Sequence, residues 1–172
     1  MEISSLIHKD RVKGEKMKAN FVIEEKLKSL GITLPNPPKP AGSYLPVVKT
    51  GNLVFVSGQI PISNGKILYS GKVTKDVSIE DAQKAARLCA INALAQLKSE
   101  LGNLDKIVRI VRVSGFVNSP SEFTEHPKVI NGASDLFFKI FEEKGQHARI
   151  AVGVSSLPLN SVVEVDLIVE IT

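Results

Sequence analysis

The chain has 172 residues and a formal net charge of +4, with 43% hydrophobic and 23% charged residues. This is the composition of a soluble globular protein, and no apolar run approaches the ~20 residues needed to span a bilayer. The N-terminal residues carry acids among their lysines and lack the apolar core of a signal peptide, so we expect a cytoplasmic protein.

The distribution of charge and the few cysteines and histidines argue against several classes of site. Residues 1–28 hold 7 of the 22 Lys and Arg and 5 of the 18 Asp and Glu, which leaves 15 basic against 13 acidic residues elsewhere. Such a balance argues against an extended surface for nucleic acid. Cys89 is the only cysteine, and His8, His126 and His147 lack the spacing of metal ligands. We therefore expect neither a disulfide nor a metal site.

The N-terminal part contains a charged segment, a short helix and a proline-rich segment. Residues 1–16 are polar and charged, which predicts a flexible extension before one domain over residues 17–172. The apolar spacing over residues 21–30 predicts a short helix. Four prolines within residues 34–44 forbid a helix and predict a rigid extended segment. That segment would deliver Tyr44 either to a binding site or simply to an edge of the core.

A β-hairpin is predicted next, with strands at residues 47–49 and 53–57 around a tight turn. The second strand is apolar on both faces, which in an antiparallel sheet indicates that both faces are covered. Because the predicted helices can cover only one face, we expect a subunit interface on the other. Ser57 and Gly58 end this strand, and a glycine there permits a close approach of the backbone or an unusual φ.

A long helix and a strand follow. Ser78 and Asp81 resemble a capping box, and the helical stripe that begins there ends before Gly102. Cys89 lies in that stripe, so we interpret it as a small core residue rather than a reactive thiol. The β-branched residues 107–117 then predict a strand.

A second long helix is predicted after the loop at residues 120–127, and it ends at Gly145. Asn131 and Gly132 lie in its first turns. Glycine in a helix costs ~1 kcal/mol relative to alanine, and close packing is the simplest explanation for it. The buried stripe comprises Ile130, Ala133, Phe137 and Phe141.

The C-terminal stretch contains two alternating strands, which we predict to pair as a hairpin around residues 157–161. In the first strand the branched residues at 150, 152 and 154 would face the core, which leaves Arg149 on the other face. In the second, alternate residues of the range 163–171 would face the core, which leaves Glu164 on the same outer face as Arg149. In such a hairpin these two residues are about 20 Å apart. If both serve one site, one of them must come from a neighbouring chain.

The predicted order of the elements is thus strand, strand, helix, strand, helix, strand, strand, after a short N-terminal helix. This order is typical of an α+β fold with a mostly antiparallel sheet and two long helices on one face. From the residues alone, Arg149 could equally belong to a structural ion pair and Glu164 to a solvated strand edge.

Several separated segments resemble a known family. Residues 51–61, residues 148–149, the pair Leu157-Pro158 and residues 163–165 resemble the RidA/YjgF family of reactive-intermediate deaminases, and the likeness spans about residues 40–171. Within this family the chain is similar to a longer subgroup, often labelled endoribonuclease-like, that has an additional N-terminal helix. The resemblance implies a chorismate-mutase-like fold with a mixed sheet, a homotrimer, and clefts between subunits.

The resemblance also implies a reaction and a site. Family members hydrolyse enamines and imines released by pyridoxal-phosphate enzymes, which yields 2-oxo acids and ammonia without a metal or organic cofactor. Arg149 matches the arginine that binds the substrate carboxylate, and Glu164 matches the acid that positions the attacking water. Ala151 stands where the family often has cysteine, which leaves open whether activity is retained. The other residues that match the cleft are Tyr44, Ser57, Gly58 and Asn131.

Three functions remain for comparison. The favoured one is an imine deaminase, in which Arg149 and Glu164 are catalytic residues. The second is a non-catalytic protein that binds small carboxylates such as 2-oxo acids, a hypothesis that Ala151 motivates. The third is an RNA-cleaving translation inhibitor, which the balanced charge, the lack of a histidine pair and the presence of only two Tyr and no Trp argue against.

Overall fold

The computed structural model of the protein describes residues 21–37 and 42–172, so the predicted extension at residues 1–16 lies outside the described residues. None of the helices in these two ranges is long and apolar enough to cross a membrane. The helices are α1 (Val22–Ser29), α2 (Ile79–Leu101) and α3 (His126–Phe141), and the strands are β1 (Val47–Thr50), β2 (Leu53–Gln59), β3 (Ile62–Ser63), β4 (Lys66–Ile67), β5 (Ile107–Asn118), β6 (Ala148–Val154) and β7 (Val163–Ile171).

Five strands form one mixed sheet in the order β1-β2-β7-β5-β6, while β3 and β4 form a separate short hairpin. All neighbours in the large sheet are antiparallel except β5 and β6, which run parallel because α3 carries the chain back between them. The predicted α+β class, the mostly antiparallel mixed sheet, the two long helices and the short N-terminal helix are confirmed.

The core lies between one face of the sheet and the helices α2 and α3. Helix α2 begins as predicted, since the Ser78 hydroxyl accepts a hydrogen bond from the Asp81 backbone N–H at 3.1 Å, and Gly102 caps its end. Cys89 is fully buried, which confirms its interpretation as a core residue. Helix α3 ends at Phe141, and a 3-10 turn continues the chain to Gly145, so the predicted helix was one turn too long. The alternate residues of β7 that face this core are Val163, Val165, Leu167, Val169 and Ile171.

The two long helices touch at Gly132. A Cβ atom added to this glycine would lie 2.0 Å from the backbone oxygen of Gln83 on α2, which confirms close packing as the reason for the glycine. We expect Gly132→Ala to lower the free energy of unfolding by about 1–3 kcal/mol, because the overpacking outweighs the gain of ~1 kcal/mol in helix propensity. Denaturant titration measures this change. Lys139→Ala, at an exposed position of the same helix, is the control, and an equally stable Gly132→Ala would contradict the packing argument.

The predicted pairing of the last two strands is wrong. Strand β5 lies between β6 and β7, and β6 pairs only with β5 within the sheet. Alternation along a sequence identifies a strand but not its neighbour, and here the return through α3 makes the parallel pairing to β5 possible.

The predicted face of Arg149 is also wrong. Arg149 pairs with Val113, which is fully buried under the helices, whereas Ile150 pairs with Ser114 on the opposite face. The helix-facing side of β6 therefore carries Arg149 together with the small residues Ala151 and Gly153. These small residues let α3 pack closely, so the face that looked polar in sequence is the inner one.

The face of the sheet away from the helices, which we call the outer face, is uncovered within the described residues. Val48, Phe55 and Ile150 are 47%, 39% and 38% exposed there. Apolar side chains on both faces of β2 were predicted and are confirmed, since Val54 and Val56 lie in the core while Phe55 faces out. An exposed apolar sheet face of this kind marks a surface for association.

Candidate active site

The first set of predicted site residues gathers around Arg149, where β6 meets α3. One terminal nitrogen of the guanidinium, Nη1, donates a hydrogen bond to Asn131 Oδ1 at 2.8 Å and another to Ser134 Oγ at 3.1 Å. Asn131 and Ser134 lie three residues apart on α3 and therefore share a face of that helix. We call Arg149, Asn131, Ser134 and His147 the arginine site.

The guanidinium of Arg149 keeps one edge available. Both hydrogens of Nη1 are used, whereas Nη2 and Nε have no hydrogen-bond partner among the described residues. No carboxylate in the described ranges forms a salt bridge with this arginine, which argues against a structural ion pair. A guanidinium edge with two parallel N–H groups and an uncompensated charge suits a carboxylate ligand.

His147 completes the arginine site. Its Nε2 lies 2.9 Å from Ser134 Oγ and its Nδ1 lies 2.7 Å from the Gly145 carbonyl oxygen. Burial lowers the pKa of His147, the hydrogen bond to Gly145 opposes this change, and the charge of Arg149 lowers the pKa further. Sequence reasoning missed Ser134 and His147 as site residues. The spacing of Ser134 from Asn131 is the signal that could have found the first.

The second set of predicted residues lies at a β-bulge between β2 and β7. Val56 pairs with Leu167 and Gln59 pairs with Val165, so Ser57 and Gly58 together oppose a single residue of β7. A Cβ atom added to Gly58 would lie 2.0 Å from Glu164 Oε1. The missing side chain therefore leaves the space that the Glu164 carboxylate occupies.

Glu164 is half-buried beside this bulge rather than lying on a solvated strand edge. Burial raises the pKa of its carboxyl group, and the neighbouring charge of Asp166 raises it further. A carboxylate whose basicity is increased in this way can accept a proton from water more readily than an ordinary glutamate. We call Glu164, Gly58 and Ser57 the glutamate site.

Tyr44 directly precedes a segment that is hydrogen-bonded to the bulge. The Ser57 hydroxyl donates to the Leu45 carbonyl oxygen at 2.7 Å, and the Ser57 backbone N–H donates to the Pro46 carbonyl oxygen at 2.9 Å. These bonds hold the segment against the bulge. Tyr44 is 51% exposed, so it does not simply close an edge of the core.

The arginine site and the glutamate site lie on opposite faces of one sheet. Arg149 is on the helix-facing side of β6, Glu164 is on the outer face of β7, and β5 runs between these strands. The structure therefore brings Arg149 together with Asn131, and Glu164 together with Gly58, but does not bring the two sets together. One ligand therefore cannot contact both the Glu164 carboxylate and the Arg149 guanidinium of a single chain, which was also predicted from the sequence on different grounds.

Ala151 lies two residues after Arg149 on the same side of β6 and packs against the core beneath α3. Its methyl group supplies no polar atom, so only its backbone can hydrogen-bond to a ligand. Within residues 21–37 and 42–172, no three His, Cys, Asp or Glu side chains are grouped as metal ligands.

Comparison with known proteins gives consistent relatives. A family model matches residues 24–171. The family is described as YjgF/chorismate_mutase-like and also as endoribonuclease. Protein TCP17 of Trypanosoma cruzi is 43% identical over 146 residues, which are 84% of this chain and 91% of that protein. The 2-iminobutanoate/2-iminopropanoate deaminase of Dermatophagoides farinae is 29% identical over 140 residues, which are 81% of this chain and 94% of that protein.

A solved structure also matches closely. The crystal structure of protein Atu1372 from Agrobacterium tumefaciens, a protein of unknown function, aligns with a TM-score of 0.82 and 51% sequence identity. The alignment covers 88% of this chain and 93% of that one. The similarity therefore extends over most of the chain rather than over one fragment of the fold.

Proposed function

Because the chain belongs to the RidA/YjgF family, we propose that it hydrolyses 2-imino acids and their enamine tautomers to 2-oxo acids and ammonia. The observation that carries this proposal is the open, unpaired guanidinium edge of Arg149, which suits the carboxylate of such substrates. The relative from Dermatophagoides farinae, named as an imine deaminase, supports the same reaction class.

Substrate binding begins at the carboxylate. Nε and Nη2 of Arg149 donate two parallel hydrogen bonds to its two oxygens, and the bidentate contact fixes the plane of the substrate. Asn131 accepts from Arg149 through Oδ1, which leaves its Nδ2 as a further donor toward the ligand. The imine carbon, next to the carboxylate, is thereby held in one position for attack.

The hydrolytic step requires a base. Glu164 accepts a proton from water while the water oxygen attacks the imine carbon, and it returns this proton to the imine nitrogen, so the resulting carbinolamine carries one hydroxyl and one amino group. Transfer of the hydroxyl proton to the amino nitrogen, formation of the C=O bond and cleavage of the C–N bond then release ammonia and leave the 2-oxo acid. One water is consumed for each ammonia released, and no redox change occurs.

A complete site requires two copies of the chain. Arg149 and Glu164 lie on opposite faces of the sheet, so a site that uses both residues has to join the arginine site of one subunit to the glutamate site of the next. Such head-to-tail pairing of different surfaces can close into a ring, and the homotrimer implied by the family resemblance is our proposal for it. The exposed apolar side chains of the outer face, with Phe55 and Ile150 among them, support burial against another copy.

The reaction is tested by generating imines in solution with an amino-acid oxidase and measuring the release of ammonia and 2-oxo acid. We expect the protein to accelerate release. No acceleration with any amino acid tried would contradict the proposal. Saturable binding of 2-oxo acids without hydrolysis would instead support a carboxylate-binding protein, the alternative that Ala151 motivates.

The raised pKa of Glu164 predicts a pH dependence. Only the ionised carboxylate acts as a base, so kcat/KM should fall as the pH is lowered through the pKa of Glu164, above the ordinary value for a glutamate. Asp166→Asn removes a charge that raises this pKa, so the acid limb of the pH profile should move to lower pH. Glu170→Gln, on the same face of β7, is the control and should leave the limb in place. An unmoved limb in Asp166→Asn would contradict the assignment.

A further inference from the structure

A directed chain of hydrogen bonds runs from the backbone to the guanidinium of Arg149. The Gly145 carbonyl oxygen can only accept, so the proton of His147 lies on Nδ1. In the neutral ring Nε2 is then an acceptor and takes the hydroxyl proton of Ser134. The Ser134 oxygen in turn accepts from Arg149 Nη1. Every proton in this chain therefore has a defined direction.

We propose that His147 and Ser134 are positioning residues that hold Arg149 in the orientation that binds the substrate carboxylate. This inference rests on the proposed function, in which Arg149 makes that contact. Neither residue touches the reacting atoms. His147 sets the direction of the Ser134 hydroxyl, and Ser134 provides the second of the two acceptors that fix the Arg149 guanidinium.

Two acceptors are needed because an arginine on an edge strand has freedom that one hydrogen bond does not remove. Arg149 is exposed, and β6 has a neighbouring strand on one side only. With Asn131 alone, the guanidinium plane could still rotate about the remaining bond. With Asn131 and Ser134 both accepting from Nη1, the plane is fixed, and the Nε–Nη2 edge points away from α3. Fixing a side chain before binding reduces the conformational entropy lost on binding.

The base of the chain is rigid. Gly145 is buried, and a Cβ atom added there would lie 2.4 Å from the backbone oxygen of Phe137. The His147 ring packs edge-on against the Phe137 ring, with 6.1 Å between the ring centroids. The lowered pKa of His147 favours the neutral ring that the chain requires. The histidine ring is thus held by packing and by its hydrogen bond to the backbone. Its fixed orientation sets the direction of the Ser134 hydroxyl and, through it, the orientation of Arg149.

The same contacts exclude His147 as the general base. Its Nε2 lone pair is occupied by the Ser134 hydroxyl, and its Nδ1 is a donor to Gly145. Neither nitrogen can accept a proton from a substrate water without breaking the chain. His147 can therefore position Ser134 and Arg149 but cannot act as the base.

The first experiment measures by calorimetry the dissociation constants of 2-oxobutanoate and of its neutral amide for the full-length protein. We expect Ser134→Ala and His147→Ala to weaken binding of the acid by about tenfold and of the amide by less than about twofold. The reason is that only the acid has a carboxylate that pairs with the Arg149 guanidinium. Ser134→Thr keeps a hydroxyl and should restore acid binding. Equal losses for acid and amide, unchanged acid binding in Ser134→Ala, or no acid binding by the wild type would each overturn the proposal.

The second experiment needs no ligand. Nitrogen-15 NMR of the labelled full-length protein should find His147 as the Nδ1–H tautomer in the wild type and in Ser134→Thr, and as a mixture in Ser134→Ala. An Nε2–H tautomer in the wild type would overturn the proposal. If both experiments give the expected results but imines are not hydrolysed, the positioning role stands and the proposed reaction fails.

Discussion

Replacing Arg149 with alanine is expected to reduce kcat/KM for imine hydrolysis by at least about 100-fold. The variant removes the guanidinium that binds the substrate carboxylate. Losing one partner of a desolvated charge pair costs about 2–5 kcal/mol. Much of the loss should appear as a higher KM, because the carboxylate is bound in both the ground state and the transition state. Steady-state release of ammonia over a range of imine concentrations measures this loss.

Two further variants make the Arg149 result specific. Arg149→Lys keeps the charge but not the two parallel donors, so its activity should lie between those of the wild type and the alanine variant. Arg87→Ala, on α2 outside both sites, should behave like the wild type. Full activity in Arg149→Ala would contradict the proposed contact between Arg149 and the substrate carboxylate. A lysine variant as active as the wild type would show that the fork geometry is unimportant.

Replacing Glu164 with glutamine is expected to lower kcat by about 10²–10⁴-fold with a small change in KM. Glutamine has the same shape and fits the space beside Gly58, but it cannot accept the proton of the attacking water. The loss should therefore appear in the chemical step, in contrast to the loss in Arg149→Ala. Single-turnover measurements with saturating imine separate the chemical step from binding.

The Glu170→Gln control accompanies this measurement, because Glu170 lies on the same face of β7 and contacts Asn52 instead of the bulge. We expect it to retain the wild-type kcat. If Glu164→Gln also keeps that kcat, water attack does not depend on this carboxylate. A loss of folding in Glu164→Gln, which thermal unfolding would reveal, is not expected for an isosteric change at a half-buried position.

Local sequence pattern was enough to predict most of the fold. The capping of α2 at Ser78, the burial of Cys89 and the alternation of β7 all follow from rules that act within one element. The partner of β6 is decided by a contact between distant segments, and no local rule contains it. The two faces of β6 were predicted the wrong way round. The apolar residue Ile150 is exposed on the outer face, while the small residue Gly153 lies under α3.

The site was predicted in part, and the missing part has a physical reason. Gly58 next to Ser57 suggested close approach, and the structure identifies the approaching group as the carboxylate of Glu164. The contact between Asn131 and Arg149 joins α3 to β6, and the position of β6 follows from its parallel pairing to β5, which no local pattern predicts. For the same reason Ser134 and His147 could not be linked to Arg149 before the fold was known.

The central claim is that each active site combines Arg149 of one subunit with Glu164 of another. Coexpressing Arg149→Ala and Glu164→Gln chains with different affinity tags and isolating the mixed assemblies tests it most directly. In a trimeric ring with one such contact per site, every isolated mixed assembly has both native residues in one of its three sites, which is about one third of the sites. We predict recovery of about that fraction of wild-type activity, although each variant alone is nearly inactive. Mixed assemblies no more active than the separate variants would contradict the account.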